Sequence, residues 1–122
     1  MPNNISIEHM YSNKIHVKIF NTFVKALIDT GCSTSVLSEK LIQQLRVMPQ
    51  QLEVGNPKFL IGANGSKIPI IGKSSLSIKI GGFSVPFEFL VAKFLTHDLL
   101  LGNDFLQETK ALINYSDNSI TF

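Results

Sequence analysis

Apolar side chains recur at every second position along much of this chain, and that period most constrains what it can become. Ile15, Val17 and Ile19 share one face of an extended segment, while His16, Lys18 and Phe20 share the other. Only a strand places alternate residues on opposite faces. Ile5, Ile7 and His9 alternate with polar neighbours in the same way. Asn21-Thr22 reads as a tight turn into the apolar segment 23–28, so three short strands are expected before Asp29. Two further strands, 75–80 and 83–91, flank Gly81-Gly82, and Pro86 predicts that the second is interrupted or lies at an edge. Segment 58–72 reads as a hairpin with Asn64-Gly65 at its tip, because both residues tolerate positive φ. Leu99-Leu100-Leu101 fits a buried strand, and 111–115 and 119–122 form a last pair around Asp117-Asn118.

Helical spacing is confined to two places. Segment 38–45 has Ser38 as a cap, an apolar stripe of Leu41, Ile42 and Leu45, and Pro49 just beyond. Segment 104–109 has room for one or two turns. The expectation is an all-β chain with one or two short helices, forming a single domain over residues 1–122.

Composition narrows the function. Apolar residues make up 44% and charged residues 16% of 122 residues, which is globular rather than disordered. The net charge is +2, and Lys14, Lys18 and Lys25 form no dense run. Without a clustered basic face, neither nucleic acid nor an anionic membrane is an expected partner. A single cysteine, Cys32, excludes an internal disulfide and fits a reducing compartment. The first residues lack a signal-peptide pattern, and no apolar run reaches membrane-spanning length.

The chemistry concentrates in Ala26-Leu27-Ile28-Asp29-Thr30-Gly31-Cys32-Ser33. Strand interiors disfavour Asp, so Asp29 is expected where an apolar strand ends. Thr30 can bond backbone groups, and Gly31 permits a sharp turn with close backbone approach. Alone, this tripeptide recurs by chance, and an Asp that merely caps a turn accounts for it as readily.

Two further segments change that balance. Phe59-Leu60-Ile61-Gly62-Ala63-Asn64-Gly65-Ser66-Lys67-Ile68 and Leu99-Leu100-Leu101-Gly102-Asn103-Asp104-Phe105-Leu106 follow in order. Together the three segments resemble the active-site loop, flap hairpin and apolar-apolar-Gly strand with short helix of retropepsin-like aspartic proteases, in a retrotransposon-type style. The resemblance covers about residues 5 to 122 and implies a closed, barrel-like β fold with a flap, paired as a C2 homodimer. It makes Asp29 the catalytic carboxylate. It has Thr30 interlock with its counterpart across the dimer, and Gly31 approach the bound peptide. Ala63, Asn64 and Gly65 become the flap tip over the substrate, and Gly102 packs under the active-site loop. Leu27, Ser33 and Ile61 become substrate-binding residues; Leu27, Val36, Ile61, Ile68 and Ile70 are candidate apolar lining, with plain core as the alternative for each. The chain ends, 5–8 and 119–122, are implied to build the dimer sheet.

The sequence departs from the family pattern at Cys32, where Ala or Ser is common, and at Ser33 and Asn103. Retroviral members often carry an acid and an Arg at the last two positions. The matched loss predicts a neutral hydrogen bond in place of the ion pair.

Peptide hydrolysis by carboxylates needs two, one as base toward water and one protonated against the carbonyl. The chain has one Asp-Thr-Gly, so the second Asp29 must come from a second copy. The expected activity is aspartic endopeptidase cleavage of extended polypeptide, polyprotein included, with no cofactor and no metal. The expected location is intracellular, in cytoplasm or virus-like particles, and the chain is expected to be released from a longer polyprotein.

Three other readings compete. Cys32 as a nucleophile needs a base, and His9, His16 and His97 show no spacing that argues for one. Those three His and one Cys show no metal-ligand spacing either. An inactive or domesticated dimer that binds or scaffolds would keep the same fold.

Overall fold

The computed structural model describes residues 6–62 and 65–122. Its first three strands are β1 (Ile7–His9), β2 (Lys14–Ile19) and β3 (Thr22–Ile28). Then come β4 (Val36–Ser38), α1 (Glu39–Leu45), β5 (Phe59–Ile61), β6 (Lys67–Ile80) and β7 (Phe83–Ala92). The chain ends with β8 (Leu99–Leu101), α2 (Asn103–Glu108), β9 (Leu112–Asn114) and β10 (Ser119–Thr121).

Strands β2-β3-β8-β4-β7-β6 follow one another in hydrogen-bonded order, and β6 returns to β2 through Lys18↔Lys79 and Ile19↔Ile78. The result is a closed six-stranded barrel, which removes free edges from the main sheet. The period-two pattern explains its wall. Ile15, Val17, Ile19, Val24, Ala26, Ile78 and Ile80 are buried, and their alternate neighbours face out. Inside, Phe89 and Phe105 are fully buried with ring centroids 6.3 Å apart, and Phe122 meets Phe105 edge-on. These aromatics close the end of the core where α2 packs.

Several expectations shift. The turn between β2 and β3 is Phe20-Asn21, one residue earlier than read, since Ile19 pairs directly with Thr22. Phe20 accordingly takes a left-handed φ of 53°. Segments 67–72 and 75–80 are one strand, β6, which absorbs the interruption as an irregularity between Ile70 and Gly72. Of the two outcomes expected at Pro86, the edge position holds: strand β7 runs unbroken through it. The proline is tolerated because β4 pairs with β7 only at Leu90–Ala92, leaving Pro86 with a neighbour on one side. Helix α1 begins as expected, with Ser38 Oγ accepting from Leu41 N–H at 3.0 Å.

The chain ends form a separate three-stranded sheet in the order β1-β10-β9. Strand β10 is paired on both sides within its own chain, so the outward edges of that sheet belong to β1 and β9. Ile5, part of the expected first strand, lies outside the described residues. No helix among the described residues is long and apolar enough to cross a membrane.

Candidate active site

Strand β3 lies parallel to β8, and the pairing continues one step past its end, where Asp29 N–H donates to Leu101 O at 3.0 Å. On the other side, Ile28 N–H donates to Asn13 O at 2.7 Å. Asp29 thus leaves the sheet from a backbone held on both flanks. The loop then folds on itself: Cys32 N–H donates to Asp29 O at 3.2 Å, and Gly31 N–H donates to Asp29 Oδ1 at 3.0 Å. The second bond fixes the orientation of the carboxylate. Asp29 is half-buried, while Thr30, Gly31 and Ser33 are exposed.

Beneath the loop lies the start of α2. Asn103 N–H donates to Cys32 O at 2.8 Å, and Asp104 N–H to Ser33 O at 3.2 Å. A methyl group on Gly102 would stand 2.7 Å from Cys32 O and 2.9 Å from Thr34 O. Only glycine fits where two loop carbonyls approach so closely. Gly102 therefore packs under the loop, as expected.

The neutral bond predicted between Ser33 and Asn103 does not form. Asn103 Nδ2 donates to Thr30 O at 2.8 Å, whereas the Ser33 hydroxyl lies 3.5 Å from Thr34 Oγ1. Asn103 thus steadies the backbone of the Asp-Thr-Gly segment and does not pair with Ser33. The reading from sequence also missed Ser35. Its fully buried hydroxyl donates to Asp104 Oδ1 at 2.6 Å and accepts from Gly102 N–H at 2.9 Å. Asp104 accepts again from Ser35 N–H at 3.2 Å and from Phe105 N–H at 2.7 Å. An acid in the first turn of α2 was the available signal, but its partner 69 positions away was not visible.

The other nominated residues are dispersed. Leu27 is half-buried on the outer side of β3, opposite Lys14. Ile61 ends β5 with 68% of its surface exposed, and Ile68 on β6 is half-buried. Val36 and Ile70 are buried core residues, so they line no open site. Ile70 falls inward by the alternation of β6, and Val36 lies on β4, whose three residues are all buried. Gly65 has φ +81°, and its N–H donates to Gly62 O at 2.9 Å, closing the hairpin end. Ala63 and Asn64 lie outside the described residues.

The thiol has no base beside it among the described residues. Cys32 Sγ donates to Thr34 O at 3.1 Å. His9 packs on Tyr11, His97 faces Thr96 Oγ1, and His16 is exposed on β2. No group of three or more His, Cys, Asp or Glu among the described residues could hold a metal ion. A hollow of about 440 Å³ lies between α1 and segment 47–49, away from Asp29. A smaller hollow of about 50 Å³ is lined by Ile28 and Thr30, on either side of Asp29, and the rigidly held, half-exposed carboxylate marks the candidate chemistry.

Known proteins place these features in a lineage. Residues 15–108 match the family described as "gag-polyprotein putative aspartyl protease". DNA damage-inducible protein 1 of Cryptococcus neoformans is 30% identical over 108 residues, covering 87% of this chain and 24% of that protein. The chain thus spans about a quarter of the curated relatives it matches. The retroviral protease-like domain of Ddi1 from Leishmania major superposes with a TM-score of 0.70 at 20% identity, covering 91% of this chain and 87% of that one. EIAV protease bound to the inhibitor HBY-793 gives 0.67 at 24% identity, covering 93% and 98%. With the loop, the barrel and the family match in agreement, the chain belongs to the retropepsin-like aspartic proteases.

Proposed function

We propose that this chain is an aspartic endopeptidase that works as a C2 homodimer. Each copy supplies one Asp29, and the pair activates a water molecule. The observation that carries the reading is the Asp29 carboxylate held by Gly31 N–H on a loop braced by Gly102 and Asn103. Preorganisation of this kind is what a proton-transfer group needs. Two like charges about 3 Å apart share one proton, so one carboxylate takes the water's proton while the protonated partner polarises the scissile carbonyl. The pair titrates as a coupled unit.

Thr30 would meet its counterpart across the dimer axis, and Gly31 would lie against the bound peptide. The β5–β6 hairpin would act as a flap, with Ile61, Ala63, Asn64 and Gly65 over an extended substrate. Leu27 and Ser33 would face the substrate's side chains. The substrates are extended polypeptides, polyproteins included, and the origin is a retrotransposon-type protein. The relatives named for DNA damage induction support an intracellular setting.

Asp29→Asn should abolish peptide cleavage while leaving the fold intact by circular dichroism. Undiminished cleavage by that variant would refute the assignment. The rate should peak at acidic to mildly acidic pH, because turnover requires a singly protonated pair. A profile flat from acid to alkali would contradict it.

The second reading is a dimer that binds or scaffolds without cleaving. It is favoured by relatives named for DNA damage induction rather than for proteolysis. A wild-type dimer inert toward a peptide library at acidic pH would select it.

A further inference from the structure

Lysines that look scattered along the chain are gathered by folding. On β2 and β3 the register pairs Lys14 with Leu27, His16 with Lys25 and Lys18 with Phe23. Strand β6 then sets Lys79 directly opposite Lys18. The alternate positions on all three strands are buried, so Lys14, His16, Lys18, Lys25 and Lys79 share one outer face of the barrel. The expectation drawn from sequence, that no basic face exists, is corrected by this pairing.

Among the described residues, no acid forms an ion pair with this face. No Asp or Glu occurs between residues 14 and 28. Among the described residues, none of these four lysines enters an ion pair; the ion pairs found are those of Lys73 with Glu53 and Glu88. Glu8, the acid on β1, accepts from the Ser6 hydroxyl. Like charges directly opposite on a sheet cost stability, so Lys18 facing Lys79 does nothing for folding. Aromatic surface adjoins the charge. Phe23 is 72% exposed with the Lys18 ammonium 5.1 Å from its ring centre, and Phe20 is 61% exposed at a left-handed turn.

We propose that this face is an exosite for an acidic, extended stretch of polypeptide lying outside the cleaved segment of a substrate. That it serves a substrate rests on the proteolytic reading above. Two observations select the occupant. Lys14, His16 and Lys18 stand at alternate strand positions, about 6.8 Å apart. An extended peptide repeats its same-face side chains at that spacing, so alternate acids meet them in register. The face also begins beside the chemistry: Leu27, opposite Lys14, is two residues before Asp29. A single-stranded nucleic acid fits less well. Base stacking needs an open ring, but one side of Phe23 carries the Lys18 ammonium. The face also lacks arginine, whose planar fork suits phosphate.

The test uses full-length Asp29→Asn protein, so that nothing is cut. Fluorescence anisotropy at low salt compares a labelled peptide of alternating Glu and Ser with an oligo-dT of equal length. The peptide should bind more tightly than oligo-dT, and added salt should weaken it. The triple variant Lys18→Gln, Lys25→Gln, Lys79→Gln should weaken peptide binding about tenfold, the sum of three exposed ion pairs of usual strength. The control Lys58→Gln, Lys110→Gln should not. In otherwise wild-type protein, the triple variant should raise KM for a substrate carrying an acidic tail. The tailless substrate and kcat should be unaffected. Equal peptide binding by wild-type and triple-variant faces, no peptide binding at low salt, or tighter binding of oligo-dT would each overturn the exosite. If neither substrate is cut by wild type, the proteolytic reading fails, while the binding comparison still decides whether the face takes acidic peptide.

Discussion

A methyl group at position 102 has no room, because the carbonyls of Cys32 and Thr34 occupy the space. Gly102→Ala must push the Asp29 loop away from α2. That overpacking should cost about 2 kcal/mol, lowering Tm by roughly 10 °C. A Tm within a degree or so of wild type would show that the loop yields freely. Ser35→Ala acts by subtraction. It removes the donor to Asp104 and leaves the buried Gly102 N–H without its acceptor, a loss of about 1–3 kcal/mol. Chemical denaturation measures it, and an unchanged midpoint would contradict the bracing role. Neither change touches the Asp29 carboxylate, so both should reduce stability before they alter the pH profile of cleavage.

At the scale of elements, the β5–β6 hairpin is clamped at its base. Gln50 N–H donates to Lys73 O at 2.7 Å, and Lys73 N–H returns a bond to Gln50 O at 2.9 Å. A methyl on Gly72 would lie 2.7 Å from Gln50 O. Lys73 Nζ adds an ion pair to Glu53 at 3.0 Å. The Glu53 hydrogen bond holds the Lys73 pKa above its ordinary 10.5. A raised pKa means the contribution is complete below the ordinary lysine range and is lost as pH climbs through the folded value. Glu53 is mostly exposed, so solvent screens the pair. Glu53→Gln should therefore give a small Tm deficit at neutral pH that disappears in strong alkali. A deficit that persisted there would assign the effect to something other than the ion pair.

How far these elements were legible follows from burial. Strands β2 and β3 announced themselves because one face of each is buried and the other wet. Strand β4 escaped notice because three residues, all buried, carry no period. Gly72 read as the end of a hairpin, yet β6 continues through it because β7 pairs with β6 from Ile70 to Ile80. Phe20 is not a turn-former by composition, so the turn was placed a residue late. The Asp29 loop was readable because its residues are contiguous. The grip of Asp104 on Ser35 and the gathering of lysines depend on strand registers that no local pattern encodes.

For the whole molecule, the proposed dimer needs a surface, and the terminal sheet offers one. Among the described residues, strand β10 is paired on both edges, whereas β1 and β9 each leave one edge unpaired. Ile7 and Leu112, on those two strands, are 68% and 71% exposed. A second copy that adds its strands there buries both. Leu112→Asp should then shift the monomer–dimer balance toward monomer in analytical ultracentrifugation, with the barrel still folded. An unchanged dimer would move the contact elsewhere. Activity per chain should fall on dilution for the same reason, since a lone Asp29 has no partner carboxylate.

Mixing tests the shared pair most directly. Wild-type chain is held fixed while Asp29→Asn chain is added and allowed to exchange, and cleavage is followed at acidic pH. Random pairing predicts that an equal amount of the variant lowers total activity to about half, with further additions suppressing it further. Activity that stayed constant as the variant was added would mean that one Asp29 suffices, and the account would be wrong at its centre.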